Sequence, residues 1–65
     1  MKTVLFEIPT MTRIHKQQAV SDSIKKLGIT NIITERGIAE VTYPDTLLKV
    51  EIIRAIEEAG HVVMY

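Results

Sequence analysis

The absence of cysteine constrains this chain most, because a domain of 65 residues has little interior in which to bury apolar surface. A folded chain of this size buries only about 60% of the surface that its unfolded form exposes, and small domains often add disulfides or metal ions for that reason. Without cysteine, neither a disulfide nor a thiolate metal site is available. The 46% hydrophobic content, with few aromatics, therefore predicts one domain over residues 1–65 with a core of Val, Ile and Leu.

Two periodicities organise the first half of the chain. Apolar and polar residues alternate over residues 3–8, which is the pattern of a half-buried strand, and Pro9 ends this strand. Apolar residues at spacings of four and three then predict a helix that ends at Gly28. The apolar face of this first helix comprises Val20, Ile24 and Leu27.

A hairpin is predicted to follow the first helix. Residues 29–34 are Ile and Thr around one Asn, a composition that favours a strand. Arg36 and Gly37 offer a tight turn into a second strand over residues 38–43.

The remaining residues predict a second helix and a last strand. Asp45 or Thr46 is suited to cap the helix, and Gly60 ends it. Residues 61–65 are short and β-branched enough for a strand. The apolar face of this helix comprises Leu48, Ile52, Ile53, Ile56 and Ala59.

The order βαββαβ predicts an α+β, ferredoxin-like fold. Since strand-helix-strand units favour right-handed crossovers, we expect a four-stranded antiparallel sheet with both helices on one face. The other face is then uncovered, and Leu5, Val63 and Tyr65 are expected to leave apolar area there. The oligomeric state is expected to be a monomer or a weak homodimer.

The charge balance argues against partners that attract by long-range electrostatics. Eight Lys and Arg oppose eight Asp and Glu, so neither nucleic acid nor an anionic membrane is expected as a partner. Residues 1–10 carry one Lys and a short apolar run broken by Glu7 and Pro9, unlike a signal peptide or a membrane span. A chain without cysteine also suits a reducing compartment, so we expect a soluble, cytoplasmic protein.

The loop before the first helix links the sequence to a known family. The loop comprises Met11, Thr12, Arg13, Ile14, His15 and Lys16. It resembles the Met-Thr-Cys-x-x-Cys loop of heavy-metal-associated domains, to which copper chaperones belong, with Arg13 and Lys16 at the two cysteine positions. Residues 39–43 and 52–61 resemble the family's third strand and its second helix with the following loop, so the resemblance covers nearly the whole chain.

The resemblance implies a metal-binding ancestry with a degenerate site. Members of the family bind Cu(I), or in some branches Zn(II) or Cd(II), through two thiolates and pass the metal to a partner such as a metal-transport ATPase. Arg13 and Lys16 are cations without a free lone pair at neutral pH, and they would repel a metal ion. The family's usual site is therefore absent from this sequence.

Three replacements for the thiolate site are open. In the first, His15 and His61, which the resemblance places near the loop, bind Cu or Zn weakly through an incomplete shell; otherwise both are solvent-exposed surface residues. Met11 is expected to pack inward, as the family's loop methionine does.

The second replacement is an anion site. Arg13 and Lys16 flank the first amides of the helix, a setting that suits a phosphate, a sulfate or a carboxylate. Thr10, which stands where the family commonly has glycine, gives no glycine-rich cradle for such a ligand.

The third replacement is metal-independent docking. Arg13, Ile14 and Lys16 would then present a basic, partly apolar corner to the acidic surface of a metal-transport ATPase or another protein. The alternative is a diverged domain whose corner has no function. Catalysis is not expected, because the chain lacks the glycine-rich phosphate loop of acylphosphatases and its spacing suggests neither a catalytic triad nor a carboxylate pair.

Overall fold

The structure, a computed structural model, describes residues 1–64. These residues form one antiparallel sheet, in the strand order β1-β3-β2, and two helices, in the predicted sequence order. The elements are β1 (Lys2–Glu7), α1 (Ile14–Lys25), β2 (Asn31–Glu35), β3 (Ile38–Tyr43) and α2 (Lys49–Glu58).

The predicted fourth strand is reduced to a single bridge. Met64 pairs antiparallel with Glu7, and the Met64 N–H donates to the Glu7 carbonyl at 2.8 Å. This register places Val62 opposite Pro9, which has no N–H to donate, so the ladder does not extend in that direction. Tyr65, at the other end of the predicted strand, lies outside the described residues. For the described part of the chain, the prediction of a four-stranded sheet is therefore wrong.

The β2–β3 turn also holds the loop that follows β1. Gly37 has a φ of +77°, in the left-handed region that glycine adopts without strain. The Gly37 N–H donates to the Met11 carbonyl at 2.8 Å, and the Gly37 carbonyl accepts from the Ile8 N–H at 2.8 Å. The predicted turn at Arg36 and Gly37 is thus present, and it fixes the segment that leads into α1.

Helix α1 buries Val20 and Ile24 as predicted, whereas Leu27 is 37% exposed in the turn after the helix. The hydroxyl of Ser23 donates to the Ala55 carbonyl of α2 at 2.6 Å. This hydrogen bond joins the two helices over the core.

Helix α2 begins later than predicted, and neither Asp45 nor Thr46 caps it. The capping position is Leu48, whose N–H donates to the Glu51 carboxylate at 2.9 Å, while the Glu51 N–H donates to the Leu48 carbonyl at 3.0 Å. Leu48 therefore precedes the helix and is 63% exposed, so its predicted place on the apolar face is wrong. Leu47 packs against the core instead.

The core lies between the two helices and one face of the sheet. Fully buried side chains come from both helices, from strands β1 and β3, and from the loops at both ends of α1. The buried apolar residues are Phe6, Ile8, Met11, Val20, Ile24, Ile29, Ala39, Val41, Tyr43, Ile52, Ala55, Ile56 and Val63.

The opposite face of the sheet is uncovered in the described part of the chain. Leu5 and Ile33 are each 59% exposed there. Val63 was predicted on this face, but it is only 6% exposed. Because side chains alternate along an extended segment, the pairing of Met64 with Glu7 directs Met64 outward and Val63 into the core.

Truncating a side chain should cost much more stability on the covered side of the sheet than on the uncovered side. We expect Ile56→Ala to lower the free energy of unfolding by about 2–5 kcal/mol, because Ile56 is fully buried. Ile33→Ala, on the uncovered face, is the matched control and will change the free energy of unfolding by no more than about 0.5 kcal/mol. Urea unfolding measures both values, and similar losses in the two variants would contradict this arrangement of the core.

Candidate functional site

The loop between β1 and α1 is an exposed corner that is attached to the core by one buried residue, Met11. Met11 is fully buried, as expected, and its N–H donates to the Ile8 carbonyl at 3.0 Å. Residues 12–15 that follow it are all exposed. The corner is therefore held from the core side while its outer residues face water.

The first turn of α1 has little to compensate its electropositive end. Arg13 occupies the capping position with an extended backbone and no side-chain cap, and the first turn contains no acidic residue. The Arg13 carbonyl accepts the N–H groups of Lys16 and Gln17, both at 3.0 Å. Within residues 1–64, the amides of Ile14 and His15 find no acceptor. The positive end of the helix dipole is thus presented to solvent.

Two cations lie on either side of an exposed aliphatic residue in the sequence of this corner. Ile14 is 73% exposed, Arg13 is exposed and Lys16 is partly exposed. The ion pair found among residues 1–64 joins the Met1 amine and Asp45, so Arg13 and Lys16 do not form one there. We call Arg13, Ile14 and Lys16 the basic corner.

His61 lies beneath the loop instead of on the surface. Its side chain is 7% exposed, and Nδ1 lies 2.7 Å from the hydroxyl oxygen of Thr10. The expectation that both histidines are solvent-exposed is therefore wrong for His61 and confirmed for His15. Sequence reasoning missed the contribution of Thr10, because only the packing of the loop after α2 against the loop after β1 reveals the contact.

The described residues do not assemble a metal-ligand cluster. No group of three or more His, Cys, Asp or Glu side chains within residues 1–64 is placed to hold a metal ion. Protein zinc sites usually have four ligands, at least three of them from the protein. His15 and His61 thus lack the further donors that a tight site would need, and Arg13 and Lys16 lie on either side of His15 in the sequence.

A separate groove of about 210 Å³ lies between the helices, at the far end of α1. Lys26 and Arg54 line it together with Glu51 and Glu58, so its charges balance. It contains none of the predicted site residues. No helix within residues 1–64 has the length and apolar character needed to cross a membrane.

Known proteins resemble this chain in their structure and not in their sequence. No family model and no curated protein matches the sequence. A solved CopZ metallochaperone superposes with a TM-score of 0.88 over 97% of this chain and 100% of its own, at 22% sequence identity. The chain therefore shares the fold of this protein. A heavy metal binding protein from Thermotoga maritima, solved by NMR, gives a TM-score of 0.81 over 98% of this chain and 94% of its own, at 17% identity.

These two likenesses support the heavy-metal-associated type of fold that the loop and helix motifs suggested. Both neighbours are described as metal-binding or metal-carrying proteins, not as enzymes. At such identities they establish the architecture, whereas the chemistry of this chain depends on its own residues.

The Thr10–His61 contact is expected to stabilise the loop. Thr10→Val removes the hydroxyl partner of the largely buried imidazole, so we expect a loss of about 1–3 kcal/mol in the free energy of unfolding. Thr12→Val, two residues along and exposed, is the matched control and will change it by less than about 0.5 kcal/mol. Urea unfolding at neutral pH measures the difference, and equal stability of the two variants would show that the contact contributes nothing.

Proposed function

We propose that this chain is a docking domain of metallochaperone fold, whose basic corner binds an acidic surface of a partner protein without a metal ion. The observation that carries the proposal is Ile14, 73% exposed between two cations that form no ion pair within residues 1–64. An exposed aliphatic side chain with two cations beside it in the sequence suits an interface with an apolar centre and a complementary charged rim.

The residues of the corner favour docking over metal transfer. Transfer of Cu(I) in the family depends on soft, anionic sulfur, and this chain has no cysteine. Arg13 and Lys16 supply positive charge where the resemblance places the thiolates. The other function that could be inherited is weak binding of Cu or Zn by His15 and His61. The His61 imidazole, however, already contacts Thr10.

The class of partner follows from the resemblance and from the charge of the corner. In metal-loaded relatives the same corner docks a metal-transport ATPase, and loss of the metal leaves the shape of the corner in place. We propose an acidic, partly apolar domain of such an ATPase as the partner. A contact this small and this charged forms quickly, binds weakly and weakens further as salt rises.

An anion site is the second candidate, and one observation favours it. The amides of Ile14 and His15 have no acceptor within residues 1–64, and Arg13 and Lys16 lie beside them in the sequence. Backbone amides at a helix start, together with cations, bind phosphate well.

Titration of the isotope-labelled chain with the amino-terminal domain of a metal-transport ATPase, in the presence of a metal chelator, tests the docking. We expect NMR shifts confined to residues 12–16. The double variant Arg13→Glu, Lys16→Glu will bind at least about tenfold more weakly, a loss of about 1.4 kcal/mol. The control Lys25→Glu, Lys26→Glu makes the same change of net charge at the other end of the sequence of α1, and it will bind almost as the parent does.

Equal weakening by both pairs of substitutions would contradict the proposal, because net charge and not the corner would then govern binding. Inorganic phosphate is titrated into the same labelled chain. Saturable shifts at Ile14 and His15 below millimolar phosphate, with no response to the ATPase domain, would favour the anion site instead.

A further inference from the structure

The uncovered side of the sheet has a pattern of its own, which the proposed function does not use. We call the outward-facing residues in the two rows of the sheet nearest the β2–β3 turn the open face. In one row, Glu40 of β3 pairs with Leu5 of β1 on one side and with Ile33 of β2 on the other. In the next row, Ile38 of β3 pairs in the same way with Glu7 and Glu35. The open face comprises Leu5, Glu7, Ile33, Glu35, Ile38 and Glu40.

Two of the three apolar residues of the open face are exposed, and the third, Ile38, is half-buried. Leu5 and Ile33 are each 59% exposed, and Met64, bridged to the end of β1, is also 59% exposed. Neither helix covers these side chains, because both pack against the other side of the sheet. Exposed apolar side chains that share one uncovered face are typical of an interaction surface.

The charges of the open face have one sign. Glu40 lies between Leu5 and Ile33, and it is the diagonal neighbour of Glu7 and Glu35. No Lys or Arg occupies an outward position in the paired rows of the three strands. The open face is thus acidic on a chain whose formal net charge is zero.

Charge decides which occupant fits. Two open faces packed against each other about a two-fold axis would bring two sets of carboxylates together, which is unfavourable. The basic corner has the complementary features: two cations and an isoleucine that is 73% exposed. We propose that the open face receives the basic corner of a second copy of this chain, so that copies associate head to tail.

This arrangement has definite consequences. The two surfaces share no residue, so a copy bound through its corner still presents its own open face, and association does not stop at a dimer. The outward side of three short strands is a small area, which makes the contact weak and transient. Because it depends on opposite charges at a solvent-exposed contact, added salt will weaken it. Self-association also occupies the corner, so it excludes binding of an acidic partner there.

Sedimentation velocity, over protein concentrations from tens of micromolar to millimolar, tests the inference on the protein alone. We expect the parent chain to associate progressively, and less so in high salt. Glu40→Lys and Arg13→Glu will each abolish association when studied separately. Mixing these two variants will restore a dimer that grows no further, because one retains an intact corner and the other an intact open face. Glu57→Lys, an exposed acid on α2, is the control and will associate as the parent does.

Several results would overturn the inference. A parent chain that stays monomeric up to millimolar concentration, association that survives Arg13→Glu but not Glu40→Lys, or a mixture of the two variants that stays monomeric would each do so. If Glu40→Lys fails to fold, Leu5→Thr replaces it, since it removes apolar area from an exposed strand position and will also abolish association. The inference does not rest on the proposed function: a chain that binds an acidic partner yet never self-associates overturns this inference alone.

Discussion

Two backbone hydrogen bonds at Gly37 are the constraint on which the candidate site depends. They bind the β2–β3 turn to Ile8 and Met11, so the segment between β1 and α1 is attached to the sheet at both of these residues. Burial of Met11 and the contact between Thr10 and His61 add attachment by side chains. The loop is therefore held by groups of the protein itself.

The groups that hold the loop leave out Arg13 and Lys16, the two cations that the resemblance places at the thiolate positions of heavy-metal-associated domains. Since the loop is fixed by groups outside positions 13 and 16, the residues at those positions are free to change the chemistry of the corner without unfolding it. Arg13 and Lys16 add to the uncompensated positive end of α1. The start of α1 is thus an electropositive surface, and the acidic open face lies elsewhere on a chain without net charge.

Much of the architecture was accessible from the sequence because local patterns determined it. The order of the first five elements, the turn at Gly37 and the burial of Val20, Ile24 and Ile56 all follow from periodicity and from glycine. The start of α2 was mispredicted because its cap is the Glu51 carboxylate on a backbone amide, a contact that does not need a polar residue at the capping position.

The errors at the end of the chain and in the site have a different cause. Val63 and His61 are buried because the segment after α2 packs beside β1 in one particular register, and register is a tertiary property that a short β-branched run does not determine. The Thr10–His61 contact joins residues 51 positions apart for the same reason. The positions of Arg13 and Lys16 were readable from the sequence, whereas the acidic open face needed the strand pairing.

The proposed docking function requires that the basic corner acts without a bound metal ion. The most direct measurement is an NMR titration of the metal-free chain with Cu(I) and Zn(II), which follows backbone amides and imidazole carbons. We predict no saturable change at residues 11–16 or at His61 below millimolar metal. Saturable shifts at His15 and His61 with micromolar metal would contradict this account.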